Sequence, residues 1–396
     1  MELNKEKLPI IYEAMAKNDA DAWLIMGRET IMKSEPVLPV LGDLSFIIAT
    51  TLVFTRDKCI AIVSPLDVEA YKTIDGVDEV WEYPGTMEDT IFEVLSGLKP
   101  RRLALDICSS DASADGLTVG MYRRLQRVLD RLETPPEVIS AFPILSEVRG
   151  RKTPSQIEKI RDCAIQADKY LRSLPEICHE GMTSLEVFNY LHETAYKDGY
   201  TMSWAATQCP SVACDPNVPQ GHSGLIDTPL VKGCTVNIDY GVRKNGYCSD
   251  LQRMYYVLKD DEDDAPDDVK KAFYLVRDAI DAARRFMKPG VTGFQVDQIA
   301  RHMIVDEGFD SWNAALGHQV GHDTHDGGTI LANRRPRYNR TELIDTPLQV
   351  GNVFTIEPGI EIPQGRIGIE EDVVITENGT EFLCPRQEEL ILIRLR

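Results

Sequence analysis

The sequence predicts a two-domain protein of the α/β (α+β) class. Three observations support this architecture. Helical and strand-like patterns alternate over residues 1–150, a helix-start signature follows at Thr153, and residues 151–396 contain an internal duplication. A chain of 396 residues is long enough for two domains that each bury a core.

The pattern over residues 1–150 predicts an α/β layer. LPIIYEAMAKND and MYRRLQRVLDRLE have the spacing of amphipathic helices, whereas SFIIATTLVFT, KCIAIVSP and RRLALDI are typical of buried strands. No titratable cluster with the spacing of a metal site or of a nucleophile stands out in this part. A scaffold or dimerisation role is therefore expected for it.

The boundary between the domains falls in SEVRGRKTPSQIEKIR. Thr153, Pro154 and Gln156 predict the start of a helix, with an N-cap, a proline at the first helical position and a glutamine that bonds back to the cap. The basic run RGRK (149–152) directly before this helix is interpreted as a solvated linker.

The second domain contains two copies of one unit. Gly181–Tyr200 matches Gly290–Phe309 without gaps at an offset of 109 residues, and in each copy a threonine caps the predicted helix and a glycine ends it. Ile226–Gly241 matches Ile344–Gly359 at an offset of 118 residues, with eight of 16 positions identical. Two helix–helix–hairpin units therefore build one domain, and pseudo-twofold symmetry is its expected arrangement.

The duplication brings four carboxylates into two predicted hairpins. Asp239 corresponds to Glu357 at the offset of 118, and each has a second acid downstream across a turn, Asp250 in the first hairpin and Glu370 in the second. The apolar neighbours of these acids indicate largely buried strands. Buried like charges on facing strands are destabilising, so the four acids call for cations or shared protons between them.

The turn positions set which acids face each other. A turn at Lys244–Asn245 would place Asp239 opposite Asp250. A turn at Pro363–Gln364 would place the two glutamates of the second hairpin opposite each other in the same way. Four carboxylates in this arrangement suit a site for two hard divalent ions.

Four of the seven histidines lie in two places. His222 precedes the first hairpin, and His318, His322 and His325 fall within eight residues that glycines bracket. A histidine supplies a nitrogen ligand, which favours manganese, iron, cobalt or zinc over magnesium or calcium. The expected cofactor is therefore two divalent metal ions, with manganese preferred and cobalt, zinc and iron as alternatives.

Composition excludes several classes of partner. The chain has 43 basic and 63 acidic side chains and a net charge of −20, which argues against nucleic-acid binding and against docking on anionic membranes. No segment approaches the roughly 18 apolar residues of a membrane span, and the first residues lack a secretory pattern. The nine cysteines form no CxxC pair, so free thiols in a cytoplasmic protein are expected.

The motifs VNIDYGxxxxGYCSDLQR, GHQVGxxxHD, FTIEPG and GIEED resemble the signature blocks of the M24 metallopeptidases. That family includes methionine aminopeptidase, aminopeptidase P and prolidase, and it shares the pita-bread fold with creatinase. The resemblance implies a pita-bread catalytic domain over residues 151–396 and a creatinase/prolidase-like N-terminal domain over residues 1–150. It also implies a homodimer.

The resemblance implies a role for each candidate residue. The five implied metal ligands are Asp239, Asp250, His318, Glu357 and Glu370. His325 matches a histidine that contacts the substrate, and His222 matches one that helps to bind the scissile group. Glu357 is also the implied proton shuttle, whereas His322 has no counterpart in the family.

Three positions depart from the family pattern. Aminopeptidase P-like sequences often carry a histidine where this chain has Ala314, and often an arginine where it has Gly368. Gln319 follows the ligand histidine in place of a frequent glycine. These departures leave the implied metal ligands intact, but they weaken the inference of proline specificity.

The expected function is hydrolysis of short peptides by metal-activated water, as in an Xaa-Pro aminopeptidase or dipeptidase. One alternative is a hydrolase or lyase on the same fold that acts on a small amide or zwitterion, as an ectoine hydrolase does. A creatinase-like amidinohydrolase is disfavoured, because creatinase works without the metals that these ligands imply. A non-catalytic binding protein is also disfavoured, because it would be expected to have lost ligands, and all five are present here.

Overall fold

The computed structural model describes residues 2–29, 35–44, 46–218, 225–335 and 341–396. It divides into two compact units, Met1–Arg151 and Lys152–Arg396. The division falls after residue 151, and the sequence pattern places the boundary after residue 150. Both mix helices and strands, so the predicted α/β (α+β) class is confirmed.

The first unit is a sheet flanked by helices. Its strands are β1 (Glu2–Leu3), β2 (Ala22–Gly27), β3 (Gly42–Asp43), β4 (Thr50–Phe54), β5 (Cys59–Val63), β6 (Glu79–Glu82), β7 (Arg102–Leu105) and β8 (Glu137–Ser140). Its helices are α1 (Leu8–Lys17), α2 (Leu38–Leu41), α3 (Val68–Lys72), α4 (Met87–Leu98), α5 (Val119–Leu129) and α6 (Phe142–Gly150).

Six of these strands form one mixed sheet in the order β6-β5-β4-β2-β7-β8. Apolar side chains cover both of its faces, because alternate residues of the central strands belong to different core clusters. On β2, for example, Trp23 and Ile25 pack into one cluster and Leu24 and Met26 into the other. The predicted helices α1 and α5 and the predicted strands β4, β5 and β7 are confirmed, although β4 is shorter than its apolar run.

The second unit contains the remaining helices and strands. Its helices are α7 (Pro154–Ser173), α8 (Ser184–Lys197), α9 (Asp267–Phe286), α10 (Gly293–Asp306) and α11 (Thr341–Asp345). Its strands are β9 (Thr201–Met202), β10 (Ser211–Ala213), β11 (Thr235–Tyr240), β12 (Val242–Lys244), β13 (Tyr247–Cys248), β14 (Leu251–Val257), β15 (Val353–Ile356), β16 (Gly359–Ile362), β17 (Gly365–Gly368), β18 (Glu371–Thr376), β19 (Gly379–Phe382) and β20 (Ile391–Ile393).

The predicted duplication is confirmed in this unit. Helices α8 and α10 are capped by Thr183 and Thr292, and each cap forms a reciprocal capping box with the side chain three residues later. Gly199 and Gly308 end the two copies with positive φ values of 76° and 90°. Each helix pair covers its own apolar cluster, with α7 and α8 over one and α9 and α10 over the other.

The segment that leads into α7 differs from its prediction. The capping box of Thr153 and Gln156 is confirmed, with the Thr153 N–H donating to Gln156 Oε1 at 3.0 Å. The RGRK run, however, is not a solvated linker, since Arg149 and Lys152 are both buried. Arg149 belongs to α6 in the first unit and donates to the carbonyl of Pro36. Lys152 belongs to the second unit and pairs with a buried aspartate.

Across the described ranges, none of the helices is both long enough and apolar enough to cross a membrane.

Candidate metal centre

The first hairpin is formed by β11 and β14 and differs from the predicted pairing. Asp239 faces Gln252, and Tyr240 faces Leu251, so the prediction that Asp239 faces Asp250 is wrong. The turn lies at Asn245–Gly246 rather than one residue earlier, because both residues have positive φ, 52° and 81°. A two-residue type I′ hairpin turn needs positive φ at both central positions, which asparagine and glycine adopt easily.

Asp250 nevertheless stays on the same side of the hairpin as Asp239. It lies two residues before Gln252, and side chains two apart on a strand point to the same face. Ile238 and Tyr240 pack into the cluster under α7 and α8, so the intervening Asp239 must point the other way. The first hairpin therefore presents both aspartates to the second hairpin.

The second hairpin has the predicted register. Gly359 faces Gly368, and Ile362 faces Gly365, which confirms the turn at Pro363–Gln364. The flanking strands β15 and β18 continue the same register, with Ile356 facing Glu371. Glu357 therefore lies opposite Glu370, as predicted.

The two hairpins meet at the centre of the unit. Gln252 and Glu370 form an isolated antiparallel bridge, with N–H to carbonyl distances of 3.3 and 3.2 Å. At the offset of 118 residues, Gln252 is the equivalent of Glu370, and Asp250 is the equivalent of Gly368. The two hairpins are thus symmetric in backbone, but each supplies its second acid from a different position.

This arrangement gathers the predicted acids around His318. Its Nε2 lies 3.6 Å from Asp250 Oδ2 and 3.4 Å from Glu357 Oε1. Ligand atoms of Asp250, His318 and Glu370 all lie within 4.8 Å of one another, a grouping that could hold a metal ion. The other ring nitrogen of His318, Nδ1, lies 3.3 Å from the Gln319 carbonyl, the kind of outer contact that orients a metal-binding imidazole.

The carboxylates of this cluster fit a divalent cation. Asp239 Oδ1, Asp250 Oδ1 and Glu370 Oε1 are buried and accept no hydrogen bond from the described residues. A buried carboxylate oxygen without a donor is costly, and a metal ion removes that cost. The donor set of carboxylate oxygens with one imidazole suits manganese, iron, cobalt or zinc.

Burial raises the pKa values of all four acids, and the charges of neighbouring carboxylates raise those of Asp250, Glu357 and Glu370 further. Burial raises the pKa of Asp239 to about 6, although the charge of Arg366 opposes this effect. Burial, together with the charge of Asp239, raises the pKa of Glu357 to about 8. Burial and the charges of neighbouring carboxylates hold the pKa values of Asp250 and Glu370 well above their usual ranges.

The histidine-containing segment supplies one nitrogen to the cluster and two neighbours. Burial and the adjacent His325 lower the pKa of His318 to about 3, so this imidazole is neutral and able to bind a cation. The exposed ring of His325 lies 4.2 Å from the ring of His318. His322 makes different contacts: its Nδ1 lies 2.8 Å from the Gly246 carbonyl, and its ring packs against Tyr247. His222 lies outside the described residues.

Two residues that the sequence did not single out form hydrogen bonds to the backbone of the cluster. Asp372, which is fully buried, accepts from the backbone N–H of Asp250 at 3.1 Å. Arg253, also fully buried, donates to the carbonyls of Gln252 and Glu370, the two residues of the central bridge. The sequence does not reveal these two residues, because a charged residue within an apolar strand gives no local indication that its side chain is buried.

Arg366 is a further residue that the sequence did not identify. It faces Glu361 across the second hairpin, one step along the same face from the opposed Gly359 and Gly368. A Cβ atom on Gly359 would lie 2.5 Å from Arg366 Nη2, and a Cβ atom on Gly368 would lie 3.1 Å from its Nε. The guanidinium thus lies over the glycine pair, and its positive charge opposes the burial-driven rise in the pKa values of Asp239 and Glu357. Aminopeptidase P-like sequences often have an arginine at the position of Gly368.

We expect Arg366→Met to lower kcat/KM by roughly 10- to 100-fold, because it removes the cation next to Asp239 and Glu357. Steady-state hydrolysis of the best substrate measures this effect. Glu361→Gln is the control, since Glu361 is 71% exposed and its ion pair at 3.4 Å should contribute little. Adding Gly368→Arg to the Arg366→Met variant should restore much of the rate. Wild-type activity in Arg366→Met alone would contradict this interpretation.

Known proteins resemble this chain over its whole length. The model of metallopeptidase family M24 matches residues 158–377. An Xaa-Pro dipeptidase from Pyrococcus horikoshii is 28% identical over 400 residues, covering 99% of this chain and 100% of the relative. The crystal structure of the prolidase from the same organism has a TM-score of 0.71 at 26% identity, covering 98% of this chain and 100% of that one.

A third comparison bears on the fold alone. An Xaa-Pro dipeptidase structure from Bacillus anthracis superposes with a TM-score of 0.74 at 23% identity, covering 98% of this chain and 99% of that one. Together, the fold and these comparisons define a metal-dependent hydrolase with the pita-bread fold. The chain belongs to metallopeptidase family M24.

Proposed function

We propose that this chain is a dinuclear metallopeptidase that cleaves Xaa-Pro bonds in dipeptides or at the N-termini of short peptides. The proposed metal ligands are Asp239, Asp250, His318, Glu357 and Glu370. The observation that carries the proposal is the cluster of buried carboxylate oxygens that accept no hydrogen bond within the described ranges, next to a neutral imidazole. The full-length likeness to a relative named Xaa-Pro dipeptidase supports the substrate class.

Two divalent ions bound here would provide hydroxide near neutral pH and polarise the scissile carbonyl. We propose manganese, with cobalt, zinc and iron as alternatives. Each of the four acids would give up any proton that it holds when a cation binds, so metal affinity should rise with pH. The side chains of this protein would then position the ions and the substrate and carry out the proton transfers.

Glu357 and His325 are proposed to act on the substrate. The Glu357 side chain is 20% exposed, more than that of Asp250 or His318, so it borders the open side of the cluster. It is therefore the proposed group that takes a proton from the attacking water and passes it to the leaving amine. The exposed His325 is proposed to donate to the oxygen that becomes negative in the transition state. On the basis of the family resemblance, His222 is proposed as a second hydrogen-bond donor to the scissile group.

Assembly and location are also proposed. The resemblance supports a homodimer, which light scattering of the purified protein would test. All nine cysteines are free thiols, and seven of them are buried. Free thiols suit a reducing compartment such as the cytoplasm.

Substrate class is tested with a panel of peptides. The protein would be reconstituted with manganese, cobalt or zinc and offered Ala-Pro, Met-Pro, Ala-Ala, an Ala-Pro tripeptide and ectoine-like small amides. We expect the Xaa-Pro substrates to be cleaved at least about 10-fold faster than Ala-Ala. Relative rates on the dipeptide and the tripeptide separate a dipeptidase from an aminopeptidase.

Chelator-treated protein is the control for metal dependence, and its activity should return when metal is added. If no Xaa-Pro substrate is cleaved with any metal while a small amide is, the peptidase proposal is wrong. The chain would then be a hydrolase or lyase for a small amide or zwitterion.

A further inference from the structure

Lys152 is a buried cation whose purpose the hydrolytic chemistry does not explain. Its side chain is 2% exposed, and its ammonium lies 3.0 Å from the carboxylate of Asp326, which is 1% exposed. It also donates to Gln319 Oε1 at 3.2 Å. Desolvating a lysine and an aspartate is costly, and their mutual attraction often fails to exceed that cost. Fold stability alone is therefore a weak reason for this pair.

The partners of Lys152 occupy the two ends of the histidine segment. Gln319 directly follows His318, and Asp326 directly follows His325. The backbone closes the same loop, since the Asp326 N–H donates to the Gln319 carbonyl at 2.9 Å. One ammonium thus holds the residues next to both histidines, whose rings lie 4.2 Å apart.

The histidine segment is shaped around this ion pair. A Cβ atom on Gly321 would lie 2.1 Å from Asp326 Oδ2 and 2.9 Å from Lys152 Cε, so the pair packs directly on the glycine backbone. Gln319, which departs from the glycine frequent in the family, is the residue that supplies the second acceptor. The glutamine that replaces the frequent glycine therefore belongs to the same interaction as the buried lysine.

Lys152 itself is rigidly held. Its backbone N–H donates to the Gly351 carbonyl at 2.9 Å, and the next residue, Thr153, is the N-cap of α7. The histidine segment is also tied to β15, because the Thr355 N–H donates to the His318 carbonyl at 2.9 Å. The lysine therefore connects the start of a long helix to the segment that carries His318.

We propose that Lys152 is a positioning residue, which acts through Gln319 and Asp326 to fix the orientation of His318 and His325. The inference rests on the proposed role of His318 as a metal ligand. Removing the ammonium should let the two ends of the segment separate. The imidazole would then meet the carboxylates at a less favourable angle, so metal affinity would fall even where the fold persists.

Cobalt binding to the metal-free protein tests this inference. Competition with a chelator gives the dissociation constant, and the visible absorption spectrum reports the geometry of the ligands. We expect Lys152→Met and Asp326→Asn each to weaken cobalt binding by roughly 10- to 100-fold and to change the spectrum. The double variant should be little worse than the worse single variant, because both remove one interaction. Val276→Ala, a truncation in the core under α9, should lower the urea midpoint but leave affinity and spectrum unchanged.

Folded Lys152→Met protein with wild-type affinity and a wild-type spectrum would overturn the inference. If that variant does not fold, Gln319→Met replaces it, with an expected loss of about threefold or more in affinity; a wild-type value there would equally overturn the inference. His318→Ala separates this failure from failure of the proposed ligand set. If His318→Ala binds cobalt as the wild type does, the ligand set is wrong and the inference falls with it.

Discussion

Asp250→Asn is expected to abolish peptide hydrolysis, with a loss of at least about 1000-fold in kcat, equal to roughly 4 kcal/mol of activation free energy. Asp250 is buried next to His318, and one of its oxygens accepts no hydrogen bond from the described residues. Asparagine has nearly the same shape but only one acceptor oxygen and no charge. Metal analysis after dialysis should find bound metal reduced from two ions per chain to one or fewer.

The control for this variant is Asp278→Asn. Asp278 has a half-exposed side chain on α9, where it pairs with the neighbouring Arg277. Its replacement should change neither turnover nor metal content. Full metal content in Asp250→Asn would remove this aspartate from the ligand set, whatever happens to the rate.

Arg253→Met is expected to be strongly destabilising for the second unit. The guanidinium is fully buried and pairs with Asp168 at 2.7 Å and with Glu371 at 3.1 Å. Its loss leaves Glu371 buried without its cation and leaves Asp168 with only the partly exposed Arg172. Breaking a buried pair costs about 3–5 kcal/mol. Urea unfolding of the metal-free protein measures this loss without the contribution of bound metal.

Arg172→Met is a matched control, because Arg172 pairs with the same Asp168 at 2.6 Å but its side chain is 40% exposed. We expect that change to cost less than about 1 kcal/mol. If the two variants unfold at the same urea concentration, burial does not determine the strength of these pairs. The role assigned to Arg253 would then be wrong.

The sequence predicts much of this fold because its signals are local or repeated. Capping residues determine where α8 and α10 begin, and the duplication reveals that the two hairpins are equivalent. The turn of the second hairpin was predicted correctly, because Pro363 and Gln364 suit a turn and the acids on either side are evenly spaced. Each of these features depends on residues close together in the chain.

The errors have two causes, which are local turn geometry and contacts between residues far apart in the chain. The first hairpin turns one residue later than predicted, because Asn245 and Gly246 adopt the positive φ values of the turn. The spacing of the two aspartates does not determine where the turn lies. Lys152 was interpreted as solvated because a lysine before a helix usually is. Its aspartate partner is 174 positions away, a contact that no local pattern can reveal.

The backbone symmetry of the two hairpins has a consequence for electroneutrality. Acids at every equivalent position would give six carboxylates around the bridge. In this chain, Gln252 stands where the second copy has Glu370, and Gly368 stands where the first has Asp250. Four negative charges remain, which matches the charge of two divalent ions. If the centre holds two divalent ions, as proposed, their charge balances that of the four ligand carboxylates, while both hairpins keep the same strand pairing.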